Sequence, residues 1–390
     1  MNLNLTTATR YGLNILALLG ASVALQLGQS IFVPLTIATL LAAIMWPYAS
    51  ALKQRFRLPW FFACLSVIGL LVVGVVLVFL LVGLAIPQMV SDLPSSETQR
   101  REMYERFRGQ LERSVPFAIN DQFPRNPEES GFYQQIQKLL TGDYITKGLI
   151  DLTKIGGMLF FQAVLILFVL LFLLLEGQML VNKVRNIFGP GLGVQKKVTD
   201  TIGEMALAVR SYLVWRTLVN FGLALLLGVV YHTIGLKQAT LWGVLTFILC
   251  YVPYLGTIAA GVPPILEALI LPNQGAGTAF GILIFYTAVV TFEGYIIVPW
   301  VMGRSMDLNA TTVLLACLYW DLVWGTAGLF LAMPLMAAIK SVCMHVEGWS
   351  AWGHLMSSED MPVPEAVPDV PKVPGDPAGT VVQASRSENE

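Results

Sequence analysis

The chain has 390 residues, 55% of them hydrophobic and only 13% charged, with a formal net charge of −1 and a mean hydropathy of +0.67. Soluble domains carry roughly 25% charged residues, so a water-soluble fold is excluded and the lipid bilayer is the chain's first partner. No basic cluster is interleaved with aromatics, which excludes nucleic acid as a partner.

Apolar windows fall at 11–28, 31–52, 61–87, 154–175, 212–234, 239–271, 277–302 and 308–345. Lipid offers the backbone no hydrogen-bond partner, so such segments must be helical or shielded by protein. The expected fold is all-α, a polytopic membrane protein of about eight hydrophobic segments. Window 11–28 has the length of a signal-peptide core, but 31–52 follows almost at once, so a membrane helical hairpin is expected instead. Residues 1–87 then hold three N-terminal transmembrane helices. Lys53, Arg55 and Arg57 follow the second, and the positive-inside rule puts them, and the N-terminus, in the cytoplasm.

Segment 88–152 is expected outside. Met103, Phe107 and Leu111, and then Phe132, Ile136, Leu139 and Leu140, recur at helical spacing. These stripes predict amphipathic helices lying on the membrane, packing on a neighbouring subunit or packing on their own chain. A fourth transmembrane helix is placed at 153–180. A cytoplasmic loop and amphipathic helix follow at 181–211, with Lys183, Arg185, Lys196 and Lys197 and the stripe Val198, Ile202, Met205, Val209. Residues 212–345 form a half rich in interrupted helices. The tail, 357–390, carries six prolines and seven acidic residues and is expected to be disordered.

Two windows are too long for one crossing. At 1.5 Å per residue, 239–271 would extend about 50 Å and 308–345 about 57 Å, against a hydrocarbon core of roughly 30 Å. Candidate breaks lie at Val252-Pro253-Tyr254-Leu255-Gly256 and at Trp320–Gly325. Each break leads into Gly-Thr-x-small, as Gly256-Thr257-Ile258-Ala259 and Gly325-Thr326-Ala327-Gly328. Paired, interrupted segments of this kind point to a transporter's substrate site, because a broken helix leaves N–H and C=O groups unpaired. Re-entrant hairpins would place Arg304 in the cytoplasm; kinked crossings would place it outside.

Charged groups inside the membrane are costly and invite a functional reading. Glu293 lies within 277–302, Asp321 at the second break, and Glu267 near the end of the first window. These carboxylates either line a polar cavity and bind a proton, a cation or substrate hydroxyls, or they make helix-packing and helix-capping bonds. Cys64, Cys250, Cys317 and Cys343 lie in apolar segments without CxxC spacing, and His232, His345 and His354 are scattered. No disulfide, metal or cofactor is therefore expected. HExxH and GxSxG are absent as well, so an enzyme is not expected.

Val252-Pro253-Tyr254-Leu255-Gly256 followed by Pro263 resembles a signature of the autoinducer-2 exporter family of bacterial transporters. So do Glu293-Gly-Tyr-Ile-Ile-Val-Pro299-Trp-Val-Met-Gly303 and Gly325-Thr326-Ala-Gly328-Leu-Phe-Leu-Ala332-Met-Pro334. The resemblance is detailed over 205–340 and extends elsewhere as layout. It differs at Leu308-Asn309-Ala310, where members show Leu-x-Pro, and at Trp320-Asp321, where they tend to carry a glycine pair. The resemblance implies a multi-pass protein of the bacterial inner membrane, and the positive-inside reading puts both termini in the cytoplasm. It also implies a homo-oligomer, with a pentamer as the candidate stoichiometry. Its function would be transport, in the export direction, of a small-molecule or ion substrate: a small polar metabolite or signalling molecule, with proton or sodium coupling through an intramembrane carboxylate. The alternatives are a sodium/proton antiporter or channel of the same family, or a membrane scaffold. Candidate coupling residues are Glu293, Asp321 and Glu267. Candidate substrate-site residues at the helix breaks are Pro253, Tyr254, Gly256, Thr257, Pro299, Gly303, Gly325, Thr326 and Gly328.

Overall fold

A computed structural model describes residues 7–92, 96–114, 123–140, 142–187, 191–271, 274–302, 308–346 and 348–358. Within these residues every regular element is helical and no strand occurs. Gly303 and Arg304 lie outside the described residues, and so does the tail from 359 onward.

Three helices open the chain: α1 (Thr7–Leu27), α2 (Gln29–Phe56) and α3 (Trp60–Asp92). After them come α4 (Glu97–Ser114), a 3-10 turn (Pro127–Glu129) and α5 (Gly131–Leu140). Next come two long helices, α6 (Gly142–Ile187) and α7 (Leu192–Ile234). Their 46 and 43 residues reach about 69 and 65 Å, so each must project beyond a bilayer core. Of the segment read from the sequence as a loop and an amphipathic helix, residues 181–187 belong to α6 and residues 192–211 to α7. The stripe 198, 202, 205, 209 faces inward on α7, with Val209 buried.

α2, α3 and α6 pack through Ala38, Ala49, Cys64, Leu170 and Leu174. The Trp60 indole donates to the Leu174 carbonyl at 3.0 Å, which links α3 to α6. Between α4 and α5, Tyr104 and Tyr133 are buried against each other, ring centroids 5.6 Å apart. The Tyr104 hydroxyl donates to Pro124 O at 2.9 Å, and Arg101 pairs with Glu97 and Glu128. The two helices thus meet through Tyr104 and Tyr133; the side chains of the stripe residues Leu111, Phe132, Ile136, Leu139 and Leu140 lie outside the described residues.

The two over-long windows are both hairpins. In the first, α8 (Ala239–Leu249) and α9 (Leu255–Ile270) are joined by residues 250–254. Glu267, near the end of α9, accepts the backbone N–H groups of Lys237 (2.8 Å) and Gln238 (3.1 Å) and the indole N–H of Trp242. The start of one leg and the end of the other therefore meet, which a straight helix would hold some 40 Å apart.

In the second, α12 (Ala310–Trp324) turns at Gly325 into α13 (Thr326–His345). Asn309, ahead of α12, bonds the backbone of Leu355, Met356 and Ser357 beyond α13. Those residues belong to or flank the short α14 (Ser350–Leu355), so this hairpin also closes at its mouth. Between the hairpins run α10 (Ala276–Phe292), a π-helical turn (Glu293–Ile297) and α11 (Val298–Met302).

α7 shows that the hairpins enter from opposite ends. The mouth of the first is tied to α7 at Ile234, whose carbonyl accepts the Gln274 amide at 2.6 Å. The mouth of the second is tied at Glu204, 2.8 Å from His345. These anchor points lie about 45 Å apart along the helix. The two hairpins therefore point in opposite directions along α7.

Candidate functional site

The first hairpin's tip is a backbone that has run out of helical partners. Pro253 cannot donate a hydrogen bond and disfavours a helical Val252, so α8 stops at Leu249. Backbone N–H groups of 250–252 still reach the carbonyls of Thr246, Ile248 and Leu249, and the Cys250 carbonyl is the one left to find a partner elsewhere. Tyr254 sits at φ 59, ψ −61 and Leu255 N–H returns to Pro253 O at 2.6 Å, which is the rare and strained hand of the γ-turn. Gly256 then closes the turn. A Cβ there would lie 1.8 Å from the Leu249 carbonyl oxygen, so only glycine lets α9 start this close to α8.

The second tip has the same closure with a different turn. A Cβ on Gly328 would lie 1.8 Å from the Trp320 carbonyl oxygen. Gly325 makes the turn at φ 59, ψ −142, a region open essentially to glycine alone.

What distinguishes the first tip is Arg216, one turn into the apolar stretch of α7. Its Nε and Nη2 donate to the carbonyl of Cys250, and its Nη1 donates to Glu293 Oε1 at 2.6 Å. Glu293 is 3% exposed and Arg216 9% exposed. One guanidinium therefore joins three elements: α7, the open end of α8, and the π-helical turn that begins at Glu293. A π-turn widens the helix and often marks functional positions; here it carries the carboxylate. Beside the pair, the Thr217 and Tyr251 hydroxyls lie 2.6 Å apart, and Asn220, fully buried, donates to Phe247 O at 3.3 Å. The Asn220 Oδ1 has no protein partner.

The sequence candidates separate accordingly. Glu293 sits in this cluster, with Pro253, Tyr254, Gly256 and Thr257 forming or flanking the adjoining tip. The Thr257 carbonyl accepts the Tyr286 hydroxyl, which holds α10 against the tip. Glu267 is at the far end of the hairpin, capping α8 and stapling the two legs. Asp321 lies exposed on the last turn of α12, where its backbone carbonyl accepts Gly325 N–H at 2.7 Å. Among the described residues no hydrogen bond or ion pair connects Asp321 with the Arg216–Glu293 cluster. Gly325, Thr326 and Gly328 build the second tip, and Pro299 lies on α11. Asn309, just ahead of Ala310 where the family pattern has proline, caps α12 by accepting Thr312 N–H at 2.7 Å.

Arg216 was not among the sequence candidates. The available signal was a cation inside an apolar window that also requires a partner for Glu293; the 77 residues between them hid the pairing.

A sequence profile described as the AI-2E family transporter matches residues 13–348. The AI-2 transport protein TqsA of Escherichia coli K12 is 25% identical over 90% of this chain and 97% of its own length. A putative transport protein of Haemophilus influenzae is 28% identical over 87% of this chain and 92% of its own. The putative permease PerM of Escherichia coli K12 is 25% identical over 80% and 87%. The matched stretch contains both hairpins, the π-turn and the buried ion pair, so the chain belongs to the AI-2E transporter family and is an integral membrane transporter.

Proposed function

We propose that this transporter moves a small polar metabolite or signalling molecule outward across the bacterial inner membrane, and that the Arg216–Glu293 pair couples the step to a proton or a sodium ion. The observation that carries the reading is the guanidinium shared between a carboxylate and the bare carbonyl of a broken helix. A cation arriving at Glu293 competes with Arg216 for the same oxygens. Once Arg216 leaves the carboxylate, its hold on the Cys250 carbonyl weakens, and the tip presents unpaired N–H and C=O groups to a polar solute. Glu293 is the single buried carboxylate among the described residues, which also supports sodium/proton exchange as the second reading. Gly277 and Gly281 leave open space on α10, in keeping with close contact between copies in a homo-oligomer.

The test is uptake and efflux in proteoliposomes against a panel of small metabolites, under an imposed proton or sodium gradient. The expected result is solute flux driven by one of the two gradients, with Glu293→Gln removing the gradient dependence. Gradient-driven flux that survives intact in Glu293→Gln at equal protein density would sink the coupling role.

A further inference from the structure

A laterally open cleft of about 1220 Å³ lies between α2, α3, α7 and the first hairpin's tip. It runs along α2 from Leu41 to Arg55, about 21 Å at 1.5 Å per residue. Its wall is apolar, and the few polar groups on it divide into two sets. Ser66 donates to Phe62 O at 2.8 Å, and Thr217 and Tyr251 bond one another, so along most of its length the cleft asks nothing polar of an occupant. At one end stand Tyr48 and Arg55, seven residues apart on the same face of α2. No carboxylate lies within ion-pair distance of Arg55 among the described residues. Arg210 approaches from α7, 5.9 Å from the Tyr48 ring, and Lys53 lies over Trp60 on the same turn.

A long apolar trough open to the hydrocarbon, ending in cations at the membrane surface, has the chemistry of an amphiphile. We infer that this cleft binds an anionic phospholipid, with one acyl chain along α2 and α3 and the phosphate at Arg55. The headgroup end is the one that positive-inside orientation places in the cytoplasmic leaflet. There, basic residues beside a span attract anionic lipid, each contributing about a five-fold preference. The inference is independent of the coupling role of Glu293, which sits behind the cleft wall.

The experiment reconstitutes the full chain in bilayers of phosphatidylglycerol and phosphatidylcholine. Spin-labelled forms of each lipid report the motionally restricted fraction at the protein. The expected result is selective restriction of the phosphatidylglycerol probe, falling about five-fold in Arg55→Ala. Gly74→Leu tests the chain subsite separately. A Cβ at Gly74 meets nothing within 4 Å, so the side chain can enter the cleft without displacing protein. It should reduce restriction of both probes while Arg55→Ala affects the anionic one alone. Equal restriction of the two lipids in the wild type, or selectivity unchanged in Arg55→Ala, overturns the inference. So does efficient disulfide formation between copies carrying Gly74→Cys, which would mean that a second subunit covers the cleft.

Discussion

The two hairpins share one backbone device and differ in what holds it. Both close through a glycine whose missing side chain admits a carbonyl from the preceding helix, Leu249 at Gly256 and Trp320 at Gly328. The first tip is then held by charge, through Arg216 and Glu293. The second is held by aromatic packing. Trp320 and Trp324 lie 4.9 Å apart, Trp324 donates to the Leu25 carbonyl of α1 at 3.0 Å, and Val323, Leu331 and Ala332 are buried in the same cluster. An ionic hold can be answered by a cation or a polar solute; a dry indole stack cannot. The difference makes the first hairpin the one to test for movement.

The strongest way to break this contrast is Arg216→Met. It strands the Glu293 carboxylate in an apolar site and should cost about 3–5 kcal/mol, read as a loss of thermal stability in the purified protein. The double variant Arg216→Met with Glu293→Leu should recover most of that stability, because a well-packed apolar pair can replace a buried ion pair, yet it should carry no gradient-driven flux. A single variant as stable as the wild type would mean that the pair does not hold the tip.

Next in size are Gly256→Ala and Gly328→Ala. Each forces a methyl group onto a carbonyl oxygen and should cost about 1–3 kcal/mol by overpacking. Similar losses in the two thermal melts would establish the shared closure; a loss at one position alone would dissolve the parallel. The smallest effect is expected from Trp324→Phe, which removes one neutral hydrogen bond worth about 1 kcal/mol and should leave coupled flux intact. Loss of coupling in that variant would move the working site toward the second hairpin.

Much of this layout was legible because membrane length is a hard constraint. Windows 239–271 and 308–345 could not be single straight crossings, and the sites of their breaks followed from proline and glycine chemistry. The second break proved sharper than the sequence suggested, with helix kept through Trp324 and only Gly325 turning. The carboxylate at 293 could be found because charge is conspicuous in an apolar run.

Its partner could not be found the same way. Arg216 follows Arg210 closely, near the point where α7 changes from amphipathic to apolar, so it reads locally as a surface cation. Glu267 was legible only as a choice between a cavity group and a helix cap. Nothing in its neighbourhood shows that α8 begins without a side-chain cap of its own and needs a carboxylate 30 residues away. Long-range pairing of polar groups is where a single sequence carries least information, since each half satisfies only its own local rules.

That staple has a mechanical result. With Glu267 bonded to two amides and an indole of the opposite leg, α8 and α9 are riveted together at their base. Any swing of the tip must then carry both helices as one stiff lever pivoting beyond the rivet, near Gly235 at φ 90. No hydrogen bond inside the lever need break for it to move, so amide exchange along both legs should show one common level of protection. The lever's position is then set by its contacts with the rest of the protein: the apolar packing of Trp242 and Ala268 against Tyr231 and Tyr286 along its length, and at its tip one arginine that supplies the ionic ones.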